Sequence, residues 1–241
     1  MSGHSKWATT KRAKAIVDAK RSNLFTKLSN NITIAAKEGG GDPATNFKLR
    51  IAVDKAKSAS MPKDNIERAI KRGTGELGGA VIEEVIYGAL LPGKVVVIIK
   101  CLTDNKNRTL NEVKTLLQKN KAQITDPNSI AWQFDNRGVI KINQSDLAGK
   151  NKEELELMVI DAGAEDLTED EEEMTIFTNP KKLQKVKEAL ESLGLKIVSA
   201  DLEMVAKEKV SLEGEALDKV IKFFDFLDGL SDLSDYYTNL L

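Results

Sequence analysis

Residues 81–102 read VIEEVIYGALLPGKVVVIIKCL. Two runs rich in Val and Ile, split by Pro92-Gly93, have the composition and length of a β-hairpin. Up to about Gly79 the apolar residues recur at helical spacing, and beyond residue 102 strands alternate with helices. The hairpin therefore marks where an N-terminal helical region gives way to α+β chain.

Downstream, TDNKNRT (103–109) leads into a helix carrying Leu110, Val113, Leu116 and Leu117, with Thr109 and Glu112 at capping-box spacing. SIAWQF (129–134) reads as a third strand, which would put Trp132 in the core. A strand near 138–143, a helix at 152–162, a short strand near 165, the strand MTIFT (174–178), a helix at 180–193 opened by Asn179-Pro180, and the strand LKIVSADLEMV (195–205) follow. That order is β-α-β-β-α-β, the ferredoxin-like arrangement. The end of the chain supplies a helix at 213–229, striped by Leu217, Ile221, Phe224 and Leu227, and an edge strand in SDYYTNL (234–240). Those last two elements complete the layer begun by the hairpin.

Upstream, Leu24, Leu28, Ile32 and Ala35 stripe one helix that stops at KEGGGDP (37–43). Asn46 is a good N-cap for a second, through Phe47, Ile51, Ala52 and Ala56 to the break at Ser60-Met61-Pro62. A third runs through Ile66, Ala69 and Ile70 to Gly73. Residues 1–8 show no core-facing pattern and read as a flexible arm, while 9–21 can be helical but offer mainly cations and alanine. The expected fold class is α+β, with an N-terminal three-helix domain followed by two ferredoxin-like α+β domains, one inserted in the other. The boundaries fall at 1–79, at 80–134 plus 207–241, and at 135–206 for the insert.

Composition excludes several classes of function. With 241 residues and 41% apolar content the chain can bury a core. Its single cysteine, Cys101, rules out a disulfide framework and reads as a small core hydrophobe in a reducing compartment. The longest apolar run, VVVII at 95–99, is far too short to span a bilayer, and the N-terminus has no apolar signal region, so a cytoplasmic protein with no membrane partner is expected. One histidine, His4, cannot support a His-based triad or a His metal site. GGGDPATN (39–46) lacks the Gly-Lys-Ser/Thr ending of a phosphate loop and reads as a helix stop. EDLTEDEEE (165–173) reads as a solvated turn, a Mg²⁺ cluster being the sharper alternative. No catalytic centre, cofactor or small-molecule substrate is expected.

The near-neutral total hides a division. Residues 1–75 hold 16 Lys and Arg against 6 Asp and Glu, which leaves 20 against 31 for the remainder. A basic third joined to an acidic body is the usual footprint of a nucleic-acid partner. Lys6, Lys11, Arg12, Lys14, Lys20, Arg21 and Lys27 are the candidate phosphate contacts, with His4 beside them. Trp7 can stack on an unpaired base or anchor the arm to the helices. Asn105, Asn107 and Arg108, at a strand-to-helix junction, form a second candidate, since the N-terminus of a helix attracts anions.

Several of these stretches carry a resemblance. GHSKW (3–7), DAKRSNLFTKL (18–28), GGGDPATN, MPKDNIERAIKRGTGE (61–76), TDNKNRT and, later, DAGAEDL (161–167) together resemble the YebC/PmpR family of probable transcriptional regulatory proteins. The resemblance implies a three-domain fold and a cytoplasmic, non-enzymatic protein. It also implies one of two partners. Some members are described as DNA-binding regulators, others as translation factors that contact ribosomal RNA and relieve stalled ribosomes. Where the family usually continues Tyr87-Gly88 with a Gly-Pro-Gly-Gly-like turn, this chain reads ALLPGK (89–94).

Overall fold

The computed structural model describes the backbone of residues 6–79, 81–147, 149 and 151–241, with side chains described from Ser22 onward within those ranges. His4 lies outside the described residues. Three helices come first: α1 (Lys6–Gly39), α2 (Phe47–Ser58) and α3 (Lys63–Gly73). The strands and helices that follow are β1 (Glu83–Leu91), β2 (Val95–Thr103), α4 (Lys106–Lys119), β3 (Gln123–Thr125) and α5 (Pro127–Ala131). Next are β4 (Phe134–Asn143), α6 (Gln144–Leu147), α7 (Lys152–Asp161), β5 (Asp166–Glu169), β6 (Glu173–Thr178) and α8 (Leu183–Ser192). The chain closes with β7 (Ser199–Ala206), α9 (Gly214–Asp228) and β8 (Leu233–Thr238).

The strands form two four-stranded sheets, β3-β1-β2-β8 and β5-β6-β4-β7. The second has the ferredoxin-like order, with central β4 antiparallel to β6 (Ile140 opposite Ile176) and to β7 (Val139 opposite Asp201). Its strands fall in the chain between β3 and β8 of the first, so one α+β layer is inserted in the other. The chain gathers into two compact units, one of residues up to Tyr87 with Ile99–Ala122 and Glu215–Tyr236, the other of Gly88–Ile98, Gln123–Gly214 and Tyr237–Leu241.

In the first unit α1 packs on α2 and α3 around Leu28, Ile32, Leu49, Val53 and Ile66. The crossing of α1 and α3 is close because small residues meet there: a Cβ on Gly73 would strike the Thr33 carbonyl and the Ala36 methyl. Asn46 caps α2 as expected, its Oδ1 accepting from the Leu49 amide at 3.1 Å, and its Nδ2 also donates to the carbonyls of Ala35 and Gly40. Gly40, at φ +87°, ends α1 in the left-handed conformation that glycine adopts freely. In the second unit the helices pack on the sheet through Leu155, Val159, Leu183, Val186 and Leu190, all buried.

Five expectations are corrected. Residues 6–8 belong to α1, which is continuous through 34 residues, because no proline or glycine interrupts the chain between Lys6 and Glu38. Residues 127–131 are the short helix α5 rather than a strand, since Asp126 accepts the Asn128 amide at 2.8 Å and Pro127 sits at the first helical position, where its fixed φ suits the helix. Trp132 is consequently 69% exposed, not core. The cap of α4 is Asn105, while Thr109 lies one turn inside the helix and is buried, so the Thr109–Glu112 capping box does not form. In α9 the buried stripe is Val220, Phe223 and Leu227, with Ile221 exposed.

Candidate nucleic-acid interface

The charge excess maps largely onto α1. From Lys6 to Lys37 this helix holds eight Lys and Arg against one acid, Asp18. At about 1.5 Å per residue it is about 50 Å long, and its C-terminal half is the part held by the core around Leu28 and Ile32. No acidic residue occupies its first turn, so Lys6 sits at the positive end of the helix dipole. Like charges at helical spacing repel as well. An anion bound along this half would relieve both penalties. Lys6, Trp7, Lys11, Arg12, Lys14, Lys20 and Arg21 are all carried on α1; their side chains lie outside the described residues.

Lys27 is placed differently. Its Nζ donates to the Asp228 carbonyl at 2.8 Å, and burial holds its pKa below the ordinary lysine value against the pull of Asp228 and Asp235. One turn on, Asn31 Oδ1 accepts from the Ser234 hydroxyl at 2.8 Å, and further along Lys37 Nζ reaches the Ile82 carbonyl at 3.3 Å. The later part of α1 is therefore fastened to the segments around β8 and β1.

The second candidate resolves into a polar network. Asn105 Oδ1 accepts the Arg108 amide at 3.1 Å and opens α4. The Arg108 guanidinium donates to Asp104 at 2.9 Å and to Asp232 at 2.9 Å. Asp232, whose side chain is 9% exposed, also accepts from the hydroxyls of Thr103 at 2.9 Å and Thr109 at 2.7 Å. Burial pushes this carboxyl up, but the hydrogen bonds from Thr109, Arg108 and Thr103 outweigh it and hold the pKa below the ordinary value. Its own carbonyl accepts the Leu102 amide at 2.8 Å, so the network ties the end of β2 and the start of α4 to the turn before β8. Asn107 is exposed on the first turn of α4. The structure brings Asn105, Asn107 and Arg108 together, with two carboxylates engaging the cation. Asp232 is the residue that sequence reasoning missed, since it lies 124 positions from Arg108 and no local spacing signals the pairing.

The remaining candidates are quickly placed. The acidic run 165–173 forms β5, a turn and the start of β6, and Asp170 accepts the amides of Glu172 and Glu173 at 2.8 and 2.9 Å. Those bonds hold its pKa below the ordinary aspartate value. Among the described residues no group of three or more His, Cys, Asp or Glu is placed to hold a metal ion. Nor, among them, is any helix long and apolar enough to cross a membrane.

Comparison with known proteins adds the family. Residues 5–76 match the model of the TACO1/YebC protein N-terminal domain, and residues 82–240 match that of the TACO1/YebC second and third domain. A probable transcriptional regulatory protein of Caldanaerobacter subterraneus subsp. tengcongensis is 45% identical over 100% of this chain and 98% of its own. Another, of Trichlorobacter lovleyi, is 43% identical over 99% of this chain and 95% of its own. The crystal structure of a conserved hypothetical protein from Aquifex aeolicus superposes with a TM-score of 0.84 at 39% identity, covering 93% of this chain and 92% of that one. With both family models matched in order and relatives similar end to end, the chain belongs to the TACO1/YebC family.

Proposed function

We propose that this protein is a non-enzymatic, cytoplasmic regulator of gene expression that binds DNA through the basic N-terminal half of α1. The observation that carries this reading is the run of six cations against one acid from Lys6 to Arg21 along a single helix, whose first turn has no acid to complement its dipole. The names of its relatives, probable transcriptional regulatory proteins, support the regulatory part of it. His4, just ahead of this helix in the sequence, and Trp7 belong to the same binding segment, and Asn105, Asn107 and Arg108 are an auxiliary phosphate seat in which a phosphate would compete with Asp104 for the guanidinium. The reading keeps the domain division 1–79, 80–134 plus 207–241, and 135–206, with the first as the binding domain.

Binding of a labelled duplex as salt is raised tests it. Lys11→Glu with Arg12→Glu should weaken binding to duplexes of any sequence and flatten the plot of log affinity against log salt by about 2. A double variant that binds like the parent at every salt concentration would refute the basic-helix reading.

A second reading, a translation factor that contacts ribosomal RNA and relieves stalled ribosomes, is favoured by the outer face of α3. There Arg68 donates to its own helix at Asp64 and Asn65, and Lys63 lies 3.5 Å from Glu67. Such locally engaged, mixed charge suits neither a recognition helix nor sequence-specific reading of a groove. RNA bound by shape and phosphate does not need one. Retention on pelleted ribosomes against excess random duplex DNA selects this reading; release into the supernatant with the DNA selects the first.

A further inference from the structure

Trp132 is 69% exposed, yet its ring is fixed. The indole Nε1–H donates to the Ser129 carbonyl at 3.0 Å, one turn back along α5. The short helix beneath is itself fastened. Asp126 Oδ1 accepts the Asn128 amide at 2.8 Å, the Ser129 hydroxyl donates to the Asp126 carbonyl at 2.6 Å, and Ile130 is buried in a cluster with Val96, Ile98 and Phe134. On the far side, the Gln133 amide donates to the Ile130 carbonyl at 3.0 Å and the Gln133 carbonyl accepts the Lys207 amide at 2.9 Å. The one polar group of the indole is thus satisfied internally. What remains available is its apolar face, held in place before any partner arrives.

The surroundings narrow the partner. Asn128 and Ser129 are exposed on the same short helix, Gln133 is half-buried, and Lys207 and Lys209 are exposed on the segment whose backbone is bonded to Gln133. Lys207 Nζ lies 3.4 Å from the Asp135 carboxylate, in an exposed pair that a phosphate can displace. A protein hot spot centres on an anchor surrounded by water-excluding contacts. Beside the carboxylates of Asp126, which caps α5, and Asp135, which pairs with Lys207, the neighbours are amides, a hydroxyl and ammonium groups, and these suit a nucleotide: the base stacks on the ring without needing the N–H, the amides are free to meet base edges and the lysines to meet phosphate. We propose that Trp132 is a stacking platform for an unpaired nucleobase, a single-strand contact far in sequence from the cations of α1. The inference rests on the nucleic-acid reading above and adds the class of ligand.

Trp7→Phe makes Trp132 the sole tryptophan, because the chain has two. In that background, emission is followed during titration with short oligo(U), short oligo(dT) and a blunt duplex. Quenching by either single strand is expected, with oligo(U) alone identifying RNA as the source and oligo(dT) alone identifying DNA. Followed instead by the anisotropy of labelled oligonucleotides with Trp7 retained, Trp132→Ala should weaken single-strand binding about ten-fold, Trp132→Phe should restore most of it, and duplex affinity should stay the same in both. If neither single strand quenches emission, or if Trp132→Ala binds single strands like its parent, the proposal is overturned. Should duplex binding persist in that case, only the stacking platform fails; should the full chain with Trp7 intact bind none of the three probes, the nucleic-acid reading fails with it.

Discussion

Asp232 ties the end of β2 and the start of α4 to the turn before β8, which makes it the most informative residue to change. Asp232→Asn would exchange acceptor oxygens for an amide that cannot satisfy Thr103, Thr109 and Arg108 together, and unfolding should become easier by about 2 kcal/mol. The pH dependence follows from the depressed pKa. Stability contributed by the carboxylate is fully present above the ordinary value of about 4 and is lost as pH falls through the lower folded value. Urea midpoints should therefore differ between wild type and Asp232→Asn at pH 6 and converge as pH falls below the ordinary value of about 4 and through the lower folded one; a gap that stays constant on acidification would assign the effect to packing. Cys101 gives a second check at this scale. Fully buried in β2, its thiol is pushed up to about 12, mainly by burial and further by Asp232. Native protein should react with a thiol reagent only as fast as it opens or unfolds, and rapid labelling without unfolding would contradict this placement.

At the scale of elements, Asn46 and Gly73 hold the helical module together. Asn46→Ala removes the cap of α2 and leaves the carbonyls of Ala35 and Gly40 without their side-chain donor, so a loss of about 2 to 3 kcal/mol is expected in denaturant unfolding. Gly73→Ala should also destabilise, because its methyl meets the backbone of α1, which cannot give way as a flexible side chain can. The helices and most strands were legible in the sequence, since their signals are local: Asn46 before an apolar stripe, glycines after α1, Pro92-Gly93 between two β-branched runs. SIAWQF was not legible, because Ile130, Trp132 and Phe134 alternate like a strand while the deciding signals, Asp126 and Pro127, stand ahead of that window. The wrong phase of α9 has a similar cause. Ile221, Phe223, Phe224, Phe226 and Leu227 make much of that helix apolar, so periodicity alone does not single out Val220, Phe223 and Leu227 as the buried set.

At the scale of the molecule, the division of charge is the feature that sequence displayed most plainly, because it needs only a count along the chain. Its spatial consequence did not follow from the count. Lys27 is drawn into the body by the Asp228 carbonyl and Arg108 by Asp104 and Asp232, so neither is simply the free surface cation that a count suggests. The central claim is that the N-terminal half of α1 provides the nucleic-acid affinity while the core, which begins near Leu28, provides the stability. Duplex affinity against salt concentration, measured for the full chain and for a chain lacking residues 1–21, tests it most directly. The account predicts that the shortened chain unfolds at nearly the same temperature but loses most of its affinity and most of its salt slope. A shortened chain that keeps the affinity and slope of the full protein would contradict the account and place the binding surface elsewhere.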